Sequence, residues 1–224
     1  MRDEKEMMGS VKPGNRPAEL KVEGDWSHVF SYHPMDVEIK KSEGIYYYDV
    51  DGKRYIDGSG GPMAFTLPHG DARMKKAITD QMDNFTHMHP TLASRPVADL
   101  CAKIAEVTPP KLNTTYLVSG GSEAVETAMK AARQHHMANG NDGKYKIISN
   151  YQSYHGMTLA TQGLSGNPAY EKYFGSMLTK WPHIHQYSDH DKPAGMTRED
   201  WGIKCAQRLE KMIYFEGAAT VSAY

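Results

Sequence analysis

The sequence has few cysteines, almost no net charge and no long apolar segment. Cys101 and Cys205 are the only two cysteines and form no Cys-x-x-Cys pair, which indicates free thiols rather than a disulfide framework or a metal cage. The formal net charge is −1, with 26 basic and 27 acidic residues, so nucleic acid is not an expected partner. No run approaches the roughly 20 apolar residues of a membrane helix, so no membrane partner is expected either.

Several familiar signals are missing as well. The charged N-terminus, residues 1–6, is not followed by an apolar core, so no secretory signal is indicated and we expect a cytoplasmic protein. The sequence contains no Walker loop, no Gly-x-Gly-x-x-Gly fingerprint and no Gly-x-Ser-x-Gly elbow. Three common phosphate-binding or hydrolytic sites are therefore excluded.

The first 70 residues predict an arm followed by a small sheet. Residues 1–25 are polar and include Pro13, Gly14 and Pro17, which is typical of a mobile arm. From Val37 to Asp57, apolar and polar residues alternate on both sides of Asp51-Gly52. This pattern predicts an antiparallel meander with a type I′ turn at Asp51-Gly52. The Gly-rich stretch at 58–62 then predicts a loop.

The rest of the chain alternates between helical and strand patterns. Apolar periodicity predicts helices over residues 71–84, 94–107, 123–139 and 199–214, and buried strands over residues 115–118, 145–149 and from 217 onward. Strand–helix–strand at this spacing predicts a largely parallel α/β sheet. The turn and strand pattern at the end of the sequence is typical of a truncated chain.

The first chemical motif is Val118-Ser119-Gly120-Gly121-Ser122-Glu123-Ala124, in which a strand pattern turns through two glycines into a helix. Glycines let the backbone approach a ligand closely, and the N–H groups of a helix start favour an anion. A phosphate on Gly121 and Ser122 is physically reasonable. An ordinary strand–helix turn with Ser122 near the helix cap remains the alternative.

The second motif, Ser153-Tyr154-His155-Gly156-Met157-Thr158, follows the next predicted strand. Ligands of open α/β sheets bind outside the carboxyl ends of strands, so both motifs are expected at one crevice. An aromatic ring beside a phosphate site suggests a flat cofactor stacked on it. Packing of Tyr154 and His155 is the alternative.

The two motifs in this order resemble the class III aminotransferases, which belong to fold type I of the pyridoxal-phosphate (PLP) enzymes. The resemblance rests on Gly121 to Arg133 followed by Tyr154 to Thr158. Upstream, residues 49–57 are similar to the family's early hairpin, 58–60 to the loop after it, and 68–70 to the entry of its first long helix.

The resemblance implies an α/β fold with a mostly parallel central sheet in the large domain. Residues 1–69 would form an arm and a β-meander of the small domain, and residues 70–224 the first part of the PLP-binding large domain. It also implies roles for single residues: Gly121 and Ser122 would bind the PLP phosphate, Tyr154 would stack on the pyridine ring, His155 and Gly156 would shape that wall, and Gly60, Gly61 and Pro62 would line the substrate pocket.

By the same resemblance, the full-length enzyme would move an amino group from an amine or omega-amino acid to a 2-oxo acid such as pyruvate or 2-oxoglutarate. It would act as a homodimer. The lysine that binds the cofactor in the family falls beyond the equivalent of Tyr224, so no catalytic residue is assigned here. The chain as given is expected to be an inactive fragment.

Three alternatives remain open. The chain could belong to an aminomutase of the same fold, or be a non-catalytic product that only dimerises. A metal-binding module could use the two His-x-His pairs, His87–His89 and His183–His185. Because no acidic residue or cysteine stands at ligand spacing to complete either pair, we expect polar loop histidines and no metal.

Overall fold

The computed structural model describes residues 37–89 and 91–224. They fall into two compact units, with the division between Ser94 and Arg95. The arm predicted for residues 1–25 lies outside the described residues. The predicted domain boundary after residue 69 stays a prediction.

The first unit contains the predicted meander. Its strands are β1 (Ile39–Glu43), β2 (Tyr46–Asp49) and β3 (Arg54–Ile56), which pair antiparallel in chain order. The central strand β2 is half-buried along its whole length, whereas β1 is exposed. The alternation in the sequence therefore identified both the strands and their pairing correctly.

The turn between β2 and β3 differs from the predicted one. A type I′ turn needs positive φ at both central residues, but within residues 49–53 only Gly52 has a positive φ, at 83°. The N–H of Gly52 donates to the Asp49 carbonyl at 3.0 Å, and the Asp49 carboxylate accepts the N–H groups of Asp51 and Lys53. The type I′ prediction is wrong because the Asp49 side chain organises a longer turn that needs only one left-handed residue.

Two helices complete the first unit. A single turn, α1 (Gly60–Met63), lies in the predicted loop, and α2 (Ala72–Asn84) matches the predicted helix. The carboxylate of Asp71 caps α2 by accepting the N–H groups of Arg73 and Met74 at 2.8 and 3.2 Å. An Asp at this position satisfies backbone donors that have no partner inside the helix.

The second unit alternates helices and short strands. In chain order these are α3 (Arg95–Val107), α4 (Gly121–Ala138), β4 (Lys146–Ile147), β5 (Ser149–Asn150), α5 (Leu159–Ser165), α6 (Pro168–Phe174), β6 (His183–Ile184), α7 (Arg198–Glu216) and β7 (Val221–Ala223). The predicted long helices and the strand near residue 147 are confirmed, whereas α5 and α6 were not predicted.

All strand pairs of the second unit are parallel, as predicted. Strand β4 pairs with β7, and β5 pairs with β6. Ile148 lies between β4 and β5, is 1% exposed, and donates its N–H to the Ala223 carbonyl at 3.0 Å. The run from Lys146 to Asn150 is thus one extended segment with a neighbour on each side.

The buried strand predicted at residues 115–118 is wrong. This segment is assigned to no strand, and Tyr116 and Leu117 are 77% and 42% exposed. A strand forms only when a neighbour accepts and donates its backbone hydrogen bonds, and no strand pairs with this segment among the described residues. The segment has the composition of a buried strand but has no neighbouring strand to bury it among the described residues.

The apolar core of the described residues lies in the second unit. Its buried members are Ile148, Leu164, Leu178, Ile184, Trp201 and Cys205. Helix α7 contacts β6, and the Trp201 indole N–H donates to the Ser188 carbonyl at 2.9 Å. No helix in the described ranges is long and apolar enough to cross a membrane.

Candidate functional site

The first motif forms the beginning of α4. Gly120 is the residue before the helix, and the carboxylate of Glu123 accepts the N–H groups of Ser119 and Gly120 at 2.8 and 3.1 Å. This internal cap holds the turn and places an acidic group near the positive end of the helix. Ser122 is consequently the second residue of the helix rather than its cap.

The N–H groups of Gly121 and Ser122 are available to an external acceptor. Neither donates a hydrogen bond within the part of the chain that the structure describes, as expected for the first turn of a helix. A Cβ added at Gly120 or Gly121 would meet no atom within 4 Å. The turn therefore presents open space in front of backbone donors.

The second motif forms the loop that leads into the short helix α5 and is bonded to its last residue, Ser165. The Ser165 hydroxyl accepts the N–H of His155 at 3.2 Å, and the Ser165 carbonyl accepts the N–H of Ser153 at 3.0 Å. Ser165 is fully buried and donates its own proton to the Thr161 carbonyl. The buried polar residues of α5 thus serve as a scaffold for the loop that contains Tyr154.

The two motifs meet at Ser122. The N–H of Met157 donates to Ser122 Oγ at 3.0 Å. Gly156 has a φ of 131°, and a Cβ added there would lie 2.4 Å from Ser122 Oγ and 2.7 Å from Thr161 Oγ1. Only glycine satisfies both the backbone angle and the close approach.

Tyr154 lies near this junction with its ring accessible. It precedes Met157 by three residues, which an extended chain spans in at most about 11 Å, and its side chain is 71% exposed. An aromatic face and the donors of Gly121 and Ser122 therefore occupy one neighbourhood. Their roles toward a cofactor stay predictions.

The surroundings of His155 favour its neutral form. Burial, and secondarily the neighbouring His183, lowers the pKa of His155 below its usual value of 6.5. A lowered pKa reduces the fraction of His155 that is positively charged at neutral pH. A neutral His155 is better suited to shaping the side of the pocket next to Tyr154 than to neutralising an anion.

A cavity of about 360 Å³ lies between α4 and the sheet. The apolar residues of α4 at helical spacing, Val125, Ala128, Met129 and Ala132, line one side, and Ile147, Ile148 and His155 belong to its other walls. The helix was thus oriented correctly from its periodicity, while the space that it faces is incompletely filled.

The predicted substrate-pocket residues belong to the first unit and form α1. Gly60 and Gly61 have φ values of 59° and 65°, and a Cβ at Gly60 would lie 2.1 Å from the Phe65 carbonyl oxygen. The Asp57 carboxylate accepts the N–H groups of Ser59 and Gly60 at 3.2 and 2.8 Å. Asp57 thereby determines where this left-handed turn begins.

Asp57 is also the centre of a polar cluster. Its other carboxylate oxygen accepts the Tyr47 hydroxyl at 2.8 Å and contacts His69 Nε2 at 2.9 Å. These hydrogen bonds, that of Tyr47 first, lower the pKa of Asp57 from 3.8 to about 2. The His69 ring also stacks on Phe65, with ring centroids 5.3 Å apart. The cluster was not recognised from the sequence, because its members are spaced irregularly.

The His-x-His pairs have other contacts. The Tyr151 ring contacts both His183 and His185, with centroids 5.0 and 5.1 Å apart, and His183 Nε2 is 3.1 Å from the Leu164 carbonyl oxygen. In the first unit, His89 Nδ1 contacts the Thr91 hydroxyl. Within residues 37–89 and 91–224, no group of three acidic, His or Cys side chains is placed to hold a metal ion.

Comparison with known proteins gives consistent matches. A family model described as "Aminotransferase class-III" matches residues 29–224. Gamma aminobutyrate transaminase 3, chloroplastic, of Solanum lycopersicum is 32% identical over 204 residues, which are 86% of this chain and 38% of that protein. Vanillin aminotransferase of Capsicum annuum is 32% identical over 83% of this chain and 41% of its own length. The chain thus spans about two fifths of these relatives.

Solved structures agree with the sequence matches. The (S)-enantioselective omega-transaminase from Thermomicrobium roseum has a TM-score of 0.77 and 32% identity, covering 84% of this chain and 42% of that one. The omega-transaminase from Pseudomonas jessenii in complex with PMP gives 0.77 and 30%, covering 83% and 42%. These neighbours are PLP fold type I enzymes, so the predicted fold class is confirmed.

Replacing Gly156 should loosen the junction of the two motifs. Gly156→Ala places a Cβ against Ser122 and Thr161 at a φ that only glycine adopts easily, so we expect a loss of about 1–3 kcal/mol in the free energy of unfolding. Gly202→Ala, where the added Cβ meets nothing within 4 Å in α7, should be neutral or stabilising by up to about 1 kcal/mol. Urea unfolding of both variants measures the difference. Equal stabilities would contradict the assigned geometry.

Asp57 should make the first unit acid-sensitive. Because the pKa of Asp57 is depressed from 3.8 to about 2, its contribution is complete above about pH 4 and is lost as the pH falls toward 2. Relative to wild type, Asp57→Asn should be less stable at neutral pH, and the difference should shrink over that window. Urea unfolding followed through NMR signals of Tyr47 and Gly60 gives the curves.

Two tyrosine variants test whether Asp57 causes the acid transition between about pH 4 and pH 2. Tyr47→Phe removes the largest cause of the depressed Asp57 pKa, so its acid transition should begin at higher pH than that of the wild type. Tyr48→Phe removes a hydroxyl from the same strand without touching Asp57 and should follow the wild-type curve. Identical behaviour of the two variants would show that Tyr47 does not stabilise the Asp57 carboxylate.

Proposed function

Since the chain belongs to the class-III aminotransferase family, whose members depend on PLP, we propose that its second unit supplies part of the cofactor site of a transaminase. The single observation that carries this proposal is the contact between the two motifs, Met157 N–H to Ser122 Oγ. The proposed reaction moves an amino group from an amine or omega-amino acid to a 2-oxo acid such as pyruvate or 2-oxoglutarate. The names of the relatives, gamma-aminobutyrate and vanillin transaminases, support this reaction class.

The groups at the start of α4 fit a phosphate. Gly121 and Ser122 offer backbone N–H donors, and the absence of a Cβ at Gly121 leaves room for an anion. Ser122 Oγ accepts from Met157, and a hydroxyl that accepts one hydrogen bond still has its own proton to donate. The Glu123 carboxylate accepts from Ser119 and Gly120, so the N–H groups of Gly121 and Ser122 stay available at the start of an 18-residue helix. Such donors suit a phosphate dianion.

The loop after β5 fits the flat part of the cofactor. Tyr154 offers an exposed aromatic face for stacking, and its neighbour His155 lines the cavity between α4 and the sheet. Because Gly156 has no Cβ, the loop that contains Tyr154 lies close to the Gly121-Ser122 turn. When bound, PLP withdraws electrons from the substrate carbon, while the chain binds and orients it.

The first unit would contribute to the substrate pocket. Gly60, Gly61 and Pro62 form a turn whose start is held by Asp57, so its backbone is kept in a conformation that other residues do not adopt easily. For the whole protein we propose a homodimer, supported by the exposed apolar side chains of α2 and α3, such as Met82 and Leu100.

These 224 residues are not proposed to catalyse turnover by themselves. Lys146 and Lys180 each bind a carboxylate, of Glu216 and Glu171 respectively, and Lys192 donates to a backbone carbonyl. None of these partners belongs to the Gly121-Ser122 turn or to the Tyr154 loop. These three lysines thus have partners away from the proposed cofactor site.

Removing the Ser122 hydroxyl should weaken binding of the cofactor's phosphate. Ser122→Ala deletes a hydrogen bond to a charged acceptor, which contributes about 1.5–3 kcal/mol, or roughly ten- to hundredfold in affinity. Tyr154→Ala should cost about 0.5–1.5 kcal/mol of stacking. Titration with pyridoxamine 5′-phosphate measures both, because this compound has no aldehyde and forms no imine with lysines. Wild-type affinity in both variants would refute the proposed site.

The isolated chain should show no amine-dependent turnover. Incubation with PLP, reduction with borohydride and peptide mapping should give substoichiometric label spread over several lysines. An assay of amine-dependent alanine formation from pyruvate should remain at the background rate. A single, stoichiometrically labelled lysine together with measurable alanine formation would show that the chain is catalytically sufficient.

A further inference from the structure

Glu126 lies one helical turn after Ser122 on α4, so both side chains lie on the same face. The sequence favours an i, i+4 pair between Glu126 and Lys130, but the described residues contain no such ion pair. The Glu126 carboxylate instead accepts the hydroxyl proton of Thr158. A carboxylate that had a local partner available is therefore engaged by the loop of the second motif, 32 residues away in the chain.

The protons of this contact can be assigned by counting. An ionised carboxylate only accepts hydrogen bonds, so Thr158 must donate its single hydroxyl proton to Glu126. Thr158 Oγ1 can then only accept from Thr161 Oγ1, which lies 3.0 Å away. Thr161 is fully buried, and its hydroxyl also lies 3.0 Å from the Thr158 carbonyl oxygen. The Thr161 hydroxyl proton is therefore shared between the carbonyl and the hydroxyl oxygen of Thr158, while the Thr158 proton goes to Glu126.

Two consecutive loop residues are thus attached to two residues one turn apart on α4. Met157 binds Ser122 through its backbone N–H, and Thr158 binds Glu126 through its side chain. The Met157–Ser122 bond occupies one lone pair of Ser122 Oγ and so restricts the directions in which the Ser122 proton can point. If the loop slips, this orientation is lost although Ser122 itself is unchanged.

We propose that Glu126 and Thr158 are positioning residues that set the register of the Tyr154 loop on α4 and thereby orient the Ser122 hydroxyl toward a phosphate ester. The proposal rests on the function proposed above for Ser122 and adds two residues that need not touch the cofactor. Gly156, which is buried against Ser122, allows the close approach that this register requires.

The test compares variants of the whole chain by titration with pyridoxamine 5′-phosphate and by amide hydrogen exchange at Met157. Thr158→Val keeps the shape of the side chain but removes the hydroxyl, whereas Thr158→Ser keeps the hydroxyl and removes the methyl group. Thr158→Val and Glu126→Ala should each lower the affinity about fivefold and speed exchange of the Met157 N–H. Thr158→Ser should restore both values, and Thr127→Val, a matched change on α4, should alter neither.

The outcomes separate this proposal from the proposed function. Lower affinity and faster Met157 exchange in Thr158→Val, both rescued by Thr158→Ser, support the positioning role. If Thr158→Val keeps wild-type affinity while Ser122→Ala loses it, the phosphate site stands and the positioning role is overturned. If the wild-type chain binds pyridoxamine no more weakly than its 5′-phosphate, the phosphate site fails, and the positioning role fails with it.

Discussion

The second unit depends on the parallel pairing of one extended run, Lys146 to Asn150. Its first half is bonded to β7 and its second half to β6, which leaves Ile148 buried between two neighbours. The chain leaves this run at its carboxyl end and passes directly into the loop that contains Tyr154. Because α4 precedes the run and contacts β7 and α5, the same pairing brings the start of α4 beside that loop. The position of the candidate site is therefore determined first by the register of the paired strands, and only then by its side chains.

Local patterns were sufficient to predict most elements. Apolar periodicity located α2, α3, α4 and α7, and alternation located the meander, because both patterns reflect which side of an element is buried. The site motifs were found in the same way, since a strand pattern that turns through glycines into a helix exposes backbone donors wherever it occurs. Such signals lie within one stretch of sequence and need no knowledge of the partner.

What the sequence did not reveal depends on partners far away in the chain. Residues 115–118 have the composition of a buried strand, yet burial needs a neighbouring strand that composition cannot supply. Glu126 was paired with Lys130 by helical spacing, while its observed partner is Thr158, and a hydroxyl–carboxylate contact between distant residues leaves no periodic signal. The turn at Gly52 shows the same limit on a smaller scale, because the Asp49 side chain changes the turn type.

The exposed segment at residues 115–118 has a consequence for the covalent integrity of the chain. Proteases bind their substrates as extended strands, and an exposed segment without regular secondary structure is open to such binding. Tyr116 and Leu117 also present the large apolar side chains that a chymotrypsin-like pocket accepts. Cleavage there would separate the Gly121-Ser122 turn, with the whole of α4, from the meander and its Asp57 cluster. Limited proteolysis would thus divide the molecule between its candidate phosphate site and its candidate substrate turn.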